Sequence, residues 1–294
     1  MTTFQAWRTA ARTHTLPAAL VPVLVGSGLA YGDDVFRLDA FVWALIGALS
    51  IQIAANFAND ASDAKRGADT ENRLGPPRMV ALGVITPTQM WAATWIAVGV
   101  ASVAGVALTL IAGPLILVIG VASLVAMLGY VSGPIPYGYR GYGEVFVFVF
   151  FGLVATVGSR YVHNMAAPLS VWLLAVPIGM LVTAILVVNN YRDMETDEAA
   201  GKRTLAVILG RDRTQTLFAV LMYGSYPLIV LFAVVGWTPQ ATMFAALLAP
   251  FAVGPVRIIN AKTDGMALIR ALKLTATLHL WTGVVLAAGA AMTL

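Results

Sequence analysis

The chain has no cysteine among its 294 residues, and only 11% of its residues are charged. Without cysteine, disulfide bonds, thiolate metal sites and cysteine nucleophiles are excluded, although no cellular compartment follows from this. The charged fraction is less than half of the roughly 25% that is usual in soluble domains. With 59% hydrophobic residues and a mean hydropathy of +0.83, the composition indicates an integral membrane protein.

Apolar segments of membrane-spanning length recur along the whole sequence and predict an all-α, polytopic membrane protein with one domain over residues 1–294. The polar start, with Arg8 and Arg12, leads into the first segment without a small-residue cleavage site, so we expect no cleavable signal peptide. Nine spans are predicted, at residues 16–32, 39–58, 88–110, 113–131, 143–163, 169–190, 214–235, 239–258 and 268–292.

The basic residues are distributed unevenly between the two sides that nine spans define. Of the 18 lysines and arginines, all but Arg37 and Arg160 fall on the side of the N-terminus. This bias predicts a multi-pass protein of the cell (inner) membrane, with a cytoplasmic N-terminus and an external C-terminus. It also explains the pI of about 9.5 without a nucleic-acid partner.

Eight of the fourteen acidic residues lie in two short clusters, each beginning with an asparagine where an apolar run ends. Both clusters fall in long loops on the cytoplasmic side. Carboxylates beside hydrocarbon need a partner, and a divalent cation that binds a phosphate-bearing lipid would supply one. The first cluster contains Asn56, Asp60, Asp63, Asp69 and Glu71, and the second contains Asn189, Asp193, Glu195, Asp197 and Glu198.

Helical spacing places three oxygen-bearing side chains of each cluster on one face, within about 60° in the first cluster and about 80° in the second. Mg²⁺ prefers oxygen ligands and is usually held by one or two carboxylates together with substrate phosphates. We therefore expect two Mg²⁺ ions that bridge one diphosphate. Either cluster alone is explained about as well by ordinary polar loop residues, but the matched pair is not. The expected metal ligands are Asn56, Asp60, Asp63, Asn189, Asp193 and Asp197.

The sequence after the two clusters is also similar. A basic pair, a short apolar stretch ending in Leu-Gly and a Thr-Gln dipeptide follow each of them. This similarity predicts an internal duplication of a helix–acidic loop–helix unit, with the two copies facing one site.

Basic residues beside the carboxylates are candidates for binding diphosphate oxygens. The positive-inside bias explains any one of them equally well. Arg140 is a stronger candidate because it is the only cation in a short Gly- and Pro-rich loop on the same side, close to Tyr139 and Glu144. The residues beside the clusters are Lys65, Arg66, Arg192, Lys202 and Arg203.

The two motifs, Asn56…Asp60…Asp63 and Asn189…Asp193…Asp197, resemble those of the UbiA superfamily of intramembrane aromatic prenyltransferases. The stretches at residues 132–136 (Ser-Gly-Pro-Ile-Pro) and 201–205 (Gly-Lys-Arg-Thr-Leu) are similar to its members that prenylate 1,4-dihydroxy-2-naphthoate in menaquinone biosynthesis. The resemblance implies nine helices around a central cavity, Asp-rich motifs on cytoplasmic loops, and Mg²⁺-dependent transfer from a polyprenyl diphosphate.

The chain departs from the general superfamily pattern at two places. A third aspartate is often present where this chain has Gly67 and Gly201, and Asp69 is a candidate substitute in the first motif. Many relatives also have a lysine at the position of Arg140. Both departures are features of the naphthoate-prenylating members, so they favour that group.

The resulting hypothesis is transfer of a polyprenyl chain to 1,4-dihydroxy-2-naphthoate with loss of its carboxylate, which gives demethylmenaquinol. Asp69, Tyr139 and Glu144 are candidates for the acceptor base. The alternatives are another acceptor, such as 4-hydroxybenzoate or homogentisate, and a cation- or proton-coupled transporter. An intramembrane aspartyl protease fits less well because it requires neither the repeated asparagine nor the basic pairs.

Overall fold

The computed structural model describes residues 2–65, 77–131 and 136–292, and its regular elements are all helical. Short 3₁₀ segments occur at Thr13–Thr15, Tyr137–Arg140 and Gln240–Ala252, and a π-helical segment occurs at Phe148–Val154. The α-helices are α1 (Thr3–Ala10), α2 (Pro17–Gly32), α3 (Leu38–Lys65), α4 (Pro87–Ala112), α5 (Pro114–Val131), α6 (Gly143–Val147), α7 (Ala155–Asn164), α8 (Leu169–Arg192), α9 (Met194–Ala199), α10 (Leu205–Val234), α11 (Val253–Ala261) and α12 (Gly265–Ala290).

In the described ranges, seven helical segments are long and apolar enough to cross a membrane. They include two composite segments: α6, the π-helical segment and α7 run on as Gly143–Asn164, and Gln240–Ala252 continues into α11 as Gln240–Ala261. The bent pair formed by Thr3–Thr15 and Pro17–Gly32 makes an eighth if it is one span, and Pro114–Tyr130 is a shorter apolar helix. The prediction of an all-α, multiply spanning chain is confirmed in these ranges, whereas the count of nine spans stays a prediction.

The bend between α1 and α2 is built from a few local features. Arg12 has a left-handed backbone conformation (φ 48°), and Pro17 occupies the first turn of α2, where its missing N–H costs nothing. Asn56 on α3 donates hydrogen bonds from its amide nitrogen to the Ala11 carbonyl (2.9 Å) and the Thr15 hydroxyl (3.0 Å). The first residue of the first acidic cluster therefore fastens this bend to α3.

Helix α8 lies at the centre of the structure, with 72% of its most apolar window buried inside the protein. The π-helical segment approaches it closely at Gly152, where an added Cβ would lie only 2.4 Å from the Gly179 Cα atom. By contrast, α4 is mostly exposed on its outer side, as Leu110 shows (85% exposed). In a multi-pass protein such an exposed apolar face is in contact with lipid. The second acidic cluster thus projects from the most firmly packed helix.

Both acidic clusters are more helical than the predicted loops imply. Helix α3 continues through Lys65, past the predicted end of the span at residue 58, so Asp60 and Asp63 lie on one helix as their spacing predicts. Helix α8 ends at Arg192, and Asp193 joins it to the short helix α9. Hydropathy marks where the apolar segment ends, but the helix continues because its backbone hydrogen bonds do not require apolar side chains.

Candidate functional site

A cavity of about 430 Å³ lies among helices α2 to α8 and reaches Leu272 of α12. Both acidic clusters contribute to its lining, the first through Asn56 and Asp63 on α3 and the second through Asn189 on α8, beside Arg192. Asp193 and Asp197 are absent from the described lining. Most of the remaining lining is apolar. The structure therefore brings the two motifs to one polar region of a largely apolar cavity.

Among the described carboxylates of the first cluster, Asp63 is the one that lines this cavity, and it is buried. One of its oxygens contacts the Arg78 guanidinium (Nη2–Oδ2 2.5 Å), and the other accepts a hydrogen bond from the Tyr139 hydroxyl (2.6 Å). Since the Asp63 and Arg78 side chains are 2% and 5% exposed, the pair is shielded from solvent. Three segments that are distant in sequence are thus joined at one carboxylate.

Asp60 has a different environment. Its two oxygens accept hydrogen bonds from the backbone N–H groups of Met79 (3.0 Å) and Val80 (3.1 Å), and it is 1% exposed. It is absent from the described cavity lining. In the described part of the chain, Asp60 therefore anchors the segment that carries Arg78 beside Asp63, and its predicted role as a metal ligand stays a prediction.

The second cluster is held by its own cations. Arg192 makes two hydrogen bonds of 2.7 Å to the Asp193 carboxylate and a third, of 3.0 Å, to the Asn189 amide oxygen. Lys202 lies 3.5 Å from Asp197, and its backbone N–H donates to the Asp197 carbonyl (2.8 Å). The predicted stripe therefore follows a bend between two helices, with a cation beside each carboxylate.

Burial raises the pKa of Asp197 to about 6. Lys202 opposes this shift, whereas the negative charges of Asp193 and Asp63 reinforce it. Asp63 belongs to the first cluster, so its effect on Asp197 is an electrostatic interaction between the two clusters. This arrangement lowers the cost of binding a positive charge between them.

In the described lining, four cationic side chains accompany Asp63: Arg12, Arg78, Arg192 and Lys202. The Lys202 ammonium also lies over the Tyr139 ring, 4.9 Å from its centroid. Buried guanidinium groups bind phosphate oxygens strongly because their hydrogen bonds are charge-assisted and directional. This end of the cavity is thus suited to an anion with several oxygens.

Other predicted basic residues are placed less favourably. Arg140 and Arg203 are exposed and absent from the described cavity lining. The backbone N–H of Arg203 donates to the Tyr139 carbonyl (3.1 Å), so this residue supports the loop through its main chain. The side chain of Lys65, and all of Arg66 and Asp69, lie outside the described residues.

Glu144 does not line the cavity in the described structure, but it supports a residue that does. It is buried (5% exposed) and accepts a hydrogen bond of 2.8 Å from the amide nitrogen of Asn190. Asn190 is buried and lies in the cavity wall. Glu144 is therefore placed behind the lining and not at the predicted position of direct substrate contact.

Aromatic rings form one wall of the cavity. Tyr137 stacks on Phe146 with a centroid distance of 3.8 Å, and Tyr130 meets Tyr137 edge to face at 5.5 Å. Glycines permit this packing, since a Cβ on Gly138 would lie 2.7 Å from the Tyr130 carbonyl oxygen and one on Gly143 would lie 3.2 Å from the Tyr130 ring. Gly138 and Gly143 thus allow the aromatic rings to pack closely beside the cavity.

The oxygen donors fit a hard divalent cation in kind. Carboxylates and amide oxygens are the ligands that Mg²⁺ prefers, and the buried Asn59 oxygen has no hydrogen-bond partner among the described residues. In the same residues, however, no group of three or more histidine or acidic side chains is close enough to hold a metal alone. The donor set suits an ion that receives several of its oxygens from water or substrate.

Sequence patterns did not single out three residues that the structure places in this wall. Arg78 was counted only as a topological charge, although it contacts Asp63. Asn59 and Asn190 stand inside the two motifs, but neither belongs to the three-residue stripe. For the asparagines the available signal was the Asn-Asp and Asn-Asn dipeptides. For Arg78 no local signal distinguished it from neighbouring basic residues.

Comparison with known proteins assigns the chain to a family. Residues 19–277 match the UbiA prenyltransferase family. The chain is 38% identical over 263 residues to the 1,4-dihydroxy-2-naphthoate octaprenyltransferase of Mycobacterium leprae (strain TN), with 87% of each chain covered. It is 35% identical over 270 residues to the Escherichia coli (strain K12) protein of the same name, covering 90% of this chain and 88% of the relative.

Solved structures agree at the level of the fold. A UbiA homolog from Archaeoglobus fulgidus bound to GPP and Mg²⁺ has a TM-score of 0.66 at 14% identity, covering 96% of this chain and 99% of that chain. The apo UbiA homolog from Aeropyrum pernix K1 has a TM-score of 0.69 at 15% identity, covering 94% and 96%. With the family match and the relatives above, the chain belongs to the UbiA prenyltransferase family.

Proposed function

We propose that this protein transfers a polyprenyl chain from polyprenyl diphosphate to 1,4-dihydroxy-2-naphthoate, with loss of the carboxylate as CO₂, to give demethylmenaquinol. The observation that carries the proposal is the cavity of about 430 Å³ that joins an end lined by cations and oxygen donors to a long apolar remainder. Relatives at 38% and 35% identity carry the name 1,4-dihydroxy-2-naphthoate octaprenyltransferase, which supports this acceptor.

The diphosphate belongs at the polar end. Arg78, Arg192 and Lys202 line the cavity there and supply guanidinium and ammonium donors for its oxygens. Lys202, which lines the cavity, is the better candidate of its basic pair, since Arg203 is exposed.

A divalent cation, as in the GPP- and Mg²⁺-bound homolog, belongs at the same end. Asp63, Asp193 and Asp197 would hold it, with Asn56, Asn189 and Asp60 as further candidates. The cation would supply positive charge that stabilises the departing diphosphate. Two ions, one for each cluster, remain our proposal.

The rest of the cavity excludes water from the reacting carbon. When the allylic C–O bond breaks, its electron pair leaves with the diphosphate and the allylic carbon becomes cationic. An apolar lining keeps water from capturing that carbon before the electron-rich ring attacks it. Phe146 and Phe150 place aromatic faces in this part of the wall, and such faces stabilise positive charge.

The finer topology is part of the same proposal. We infer nine spans in the cell (inner) membrane, with the N-terminus and the polar end of the cavity on the cytoplasmic side, because 16 of the 18 basic residues then face the cytoplasm. We also infer that the two acidic clusters derive from an internal duplication. Their similar sequences and their meeting at one cavity support this inference.

The test is mass spectrometry of the products formed by purified protein with a polyprenyl diphosphate, Mg²⁺ and one acceptor at a time. We expect the decarboxylated prenylated naphthol from 1,4-dihydroxy-2-naphthoate, and none in EDTA. Asp193→Asn should abolish product while the protein remains inserted and folded. Product from 4-hydroxybenzoate or homogentisate, with none from the naphthoate, would refute the proposed acceptor.

A further inference from the structure

We propose that Asn190, oriented by Glu144, binds a ring hydroxyl of the aromatic acceptor and holds that ring against the aromatic wall formed by Tyr130, Tyr137 and Phe146. This inference rests on the proposed prenyl transfer and adds the location of the acceptor. It makes Asn190 a binding residue and Glu144 a positioning residue.

The orientation of Asn190 follows from its partner. The amide nitrogen donates to Glu144 at 2.8 Å, and a carboxylate accepts hydrogen bonds but does not donate them. The amide plane is therefore fixed with its nitrogen towards Glu144 and its carbonyl oxygen directed away from it. Because Asn190 lines the cavity, this oxygen is available to a donor that enters there.

The chemistry of the two substrates decides which of them Asn190 suits. An ionised diphosphate has oxygens but no N–H or O–H donors, so it cannot donate to an amide oxygen. A polyprenyl chain has no polar hydrogen at all. A phenolic acceptor carries O–H groups, and a buried amide oxygen discriminates strongly in favour of a ligand that satisfies it.

The neighbouring rings suit the remainder of such a ligand. Tyr130, Tyr137 and Phe146 line the same cavity as Asn190, and Tyr137 and Phe146 are already stacked at 3.8 Å. Flat aromatic ligands gain from offset stacking and edge contacts with such rings. A bicyclic phenol placed here has its polar edge at Asn190 and its apolar face on the wall.

The placement of Glu144 argues against the simpler role of acceptor base. Glu144 is buried behind Asn190 and does not line the described cavity. It therefore acts through Asn190, and a glutamine, whose side-chain oxygen also accepts a hydrogen bond, should replace it. An aliphatic side chain should not.

The hydroxyl at position 4 of 1,4-dihydroxy-2-naphthoate is the expected donor, since the hydroxyl at position 1 lies beside the carboxylate and bonds to it internally. The probes are therefore this compound and 1-hydroxy-2-naphthoate, which lacks the 4-hydroxyl. Equilibrium binding of each is measured with purified wild type, Asn190→Leu, Glu144→Leu and Glu144→Gln, under anaerobic conditions in EDTA, so that neither metal nor diphosphate contributes.

We expect wild type to bind the dihydroxy compound at least fivefold more tightly than the monohydroxy analogue. Asn190→Leu and Glu144→Leu should bind the two compounds equally, and Glu144→Gln should restore most of the preference. In turnover assays, the two leucine variants should raise the KM for the acceptor and leave the KM for the prenyl diphosphate within twofold.

Thermal unfolding identifies variants that fail to fold, and Asn190→Ala, which is smaller and has no hydrogen-bonding group on its side chain, then replaces Asn190→Leu. A preference that persists in these variants, or a rise only in the KM for the prenyl diphosphate, would overturn the inference. The proposed function has a separate test, because it fails if wild type itself forms no product from the naphthoate. Turnover by wild type with an unchanged preference in the variants would reject the acceptor site alone.

Discussion

The contact between Arg78 and Asp63 makes a sharp prediction about the protein without metal. Replacing Arg78 with methionine keeps most of the side-chain length and removes its charge. Asp63 then remains buried with the Tyr139 hydroxyl but without the guanidinium that contacts it at 2.5 Å. We expect a large loss of stability in EDTA that added Mg²⁺ partly restores.

The expected size follows from burial and distance. At 2.5 Å and an effective dielectric constant of 20, the pair attracts by roughly 6–7 kcal/mol, part of which offsets the cost of removing both groups from water. Removing one member of a buried pair costs about 3–5 kcal/mol. A divalent cation at 100 times its dissociation constant returns about 2.7 kcal/mol if it binds only the folded state.

The assay is unfolding of purified protein in detergent, with EDTA or with Mg²⁺. Arg78→Met should be less stable than wild type in EDTA, and Mg²⁺ should stabilise it more than it stabilises wild type. The double variant Arg78→Met/Asp63→Asn should regain stability in EDTA but should not be stabilised further by Mg²⁺. Arg37→Met removes an exposed arginine that pairs with Asp39 and is the matched control, for which we expect no measurable change. Equal losses in the two arginine variants, or no difference in their response to Mg²⁺, would refute this reasoning.

Three further predictions concern single residues. Because the folded-state pKa of Asp197 is raised to about 6, its contribution to stability is complete below the unfolded value near 3.8 and is lost as the pH rises through 6. In EDTA, the unfolding free energy of wild type should therefore fall relative to that of Asp197→Asn between pH 4 and pH 7, and parallel curves would contradict this. Gly138→Ala should cost about 1–3 kcal/mol of unfolding free energy because its Cβ would lie 2.7 Å from the Tyr130 carbonyl oxygen, whereas Gly99→Ala, with open space around the new Cβ, should be neutral or stabilising. Lys202→Gln should lower kcat/KM for the prenyl diphosphate about tenfold or more, while Arg203→Gln, at an exposed position, should change it by less than twofold. Equal effects would show that the difference in exposure does not determine which of the two residues binds the diphosphate.

The sequence was sufficient for the helical architecture and for the pairing of the two acidic clusters at one cavity. Long apolar segments predict helices reliably, because a chain that crosses a bilayer must satisfy its backbone hydrogen bonds internally. The clusters were visible since charge is rare in this chain, so that each acidic group beside an apolar run stands out.

Details that depend on tertiary packing were not predictable. The π-helical segment at Phe148–Val154 contains Gly152, which lies close to Gly179 on α8, and nothing local to the sequence marks that contact. Hydropathy falls after residue 58 whereas helix α3 continues to Lys65, so the predicted span is shorter than the helix that contains it. Arg140 was favoured because it is the only cation in a short, stiff loop. In the folded chain its side chain is exposed to solvent and does not line the described cavity.

The two clusters are alike in sequence but are stabilised differently, and this difference bears on how the site works. In the first, Arg78 reaches Asp63 from a separate segment, and that segment is fastened by the hydrogen bonds from Met79 and Val80 to Asp60. In the second, Arg192 is the immediate neighbour of the carboxylate that it pairs with. Buried carboxylates beside cations are close to electrical neutrality as a group. Under the proposed function, these cations would donate to a diphosphate once a metal ion binds their carboxylates. Such an exchange favours joint binding of metal and diphosphate, because either charge alone would leave buried groups of the opposite sign unpaired.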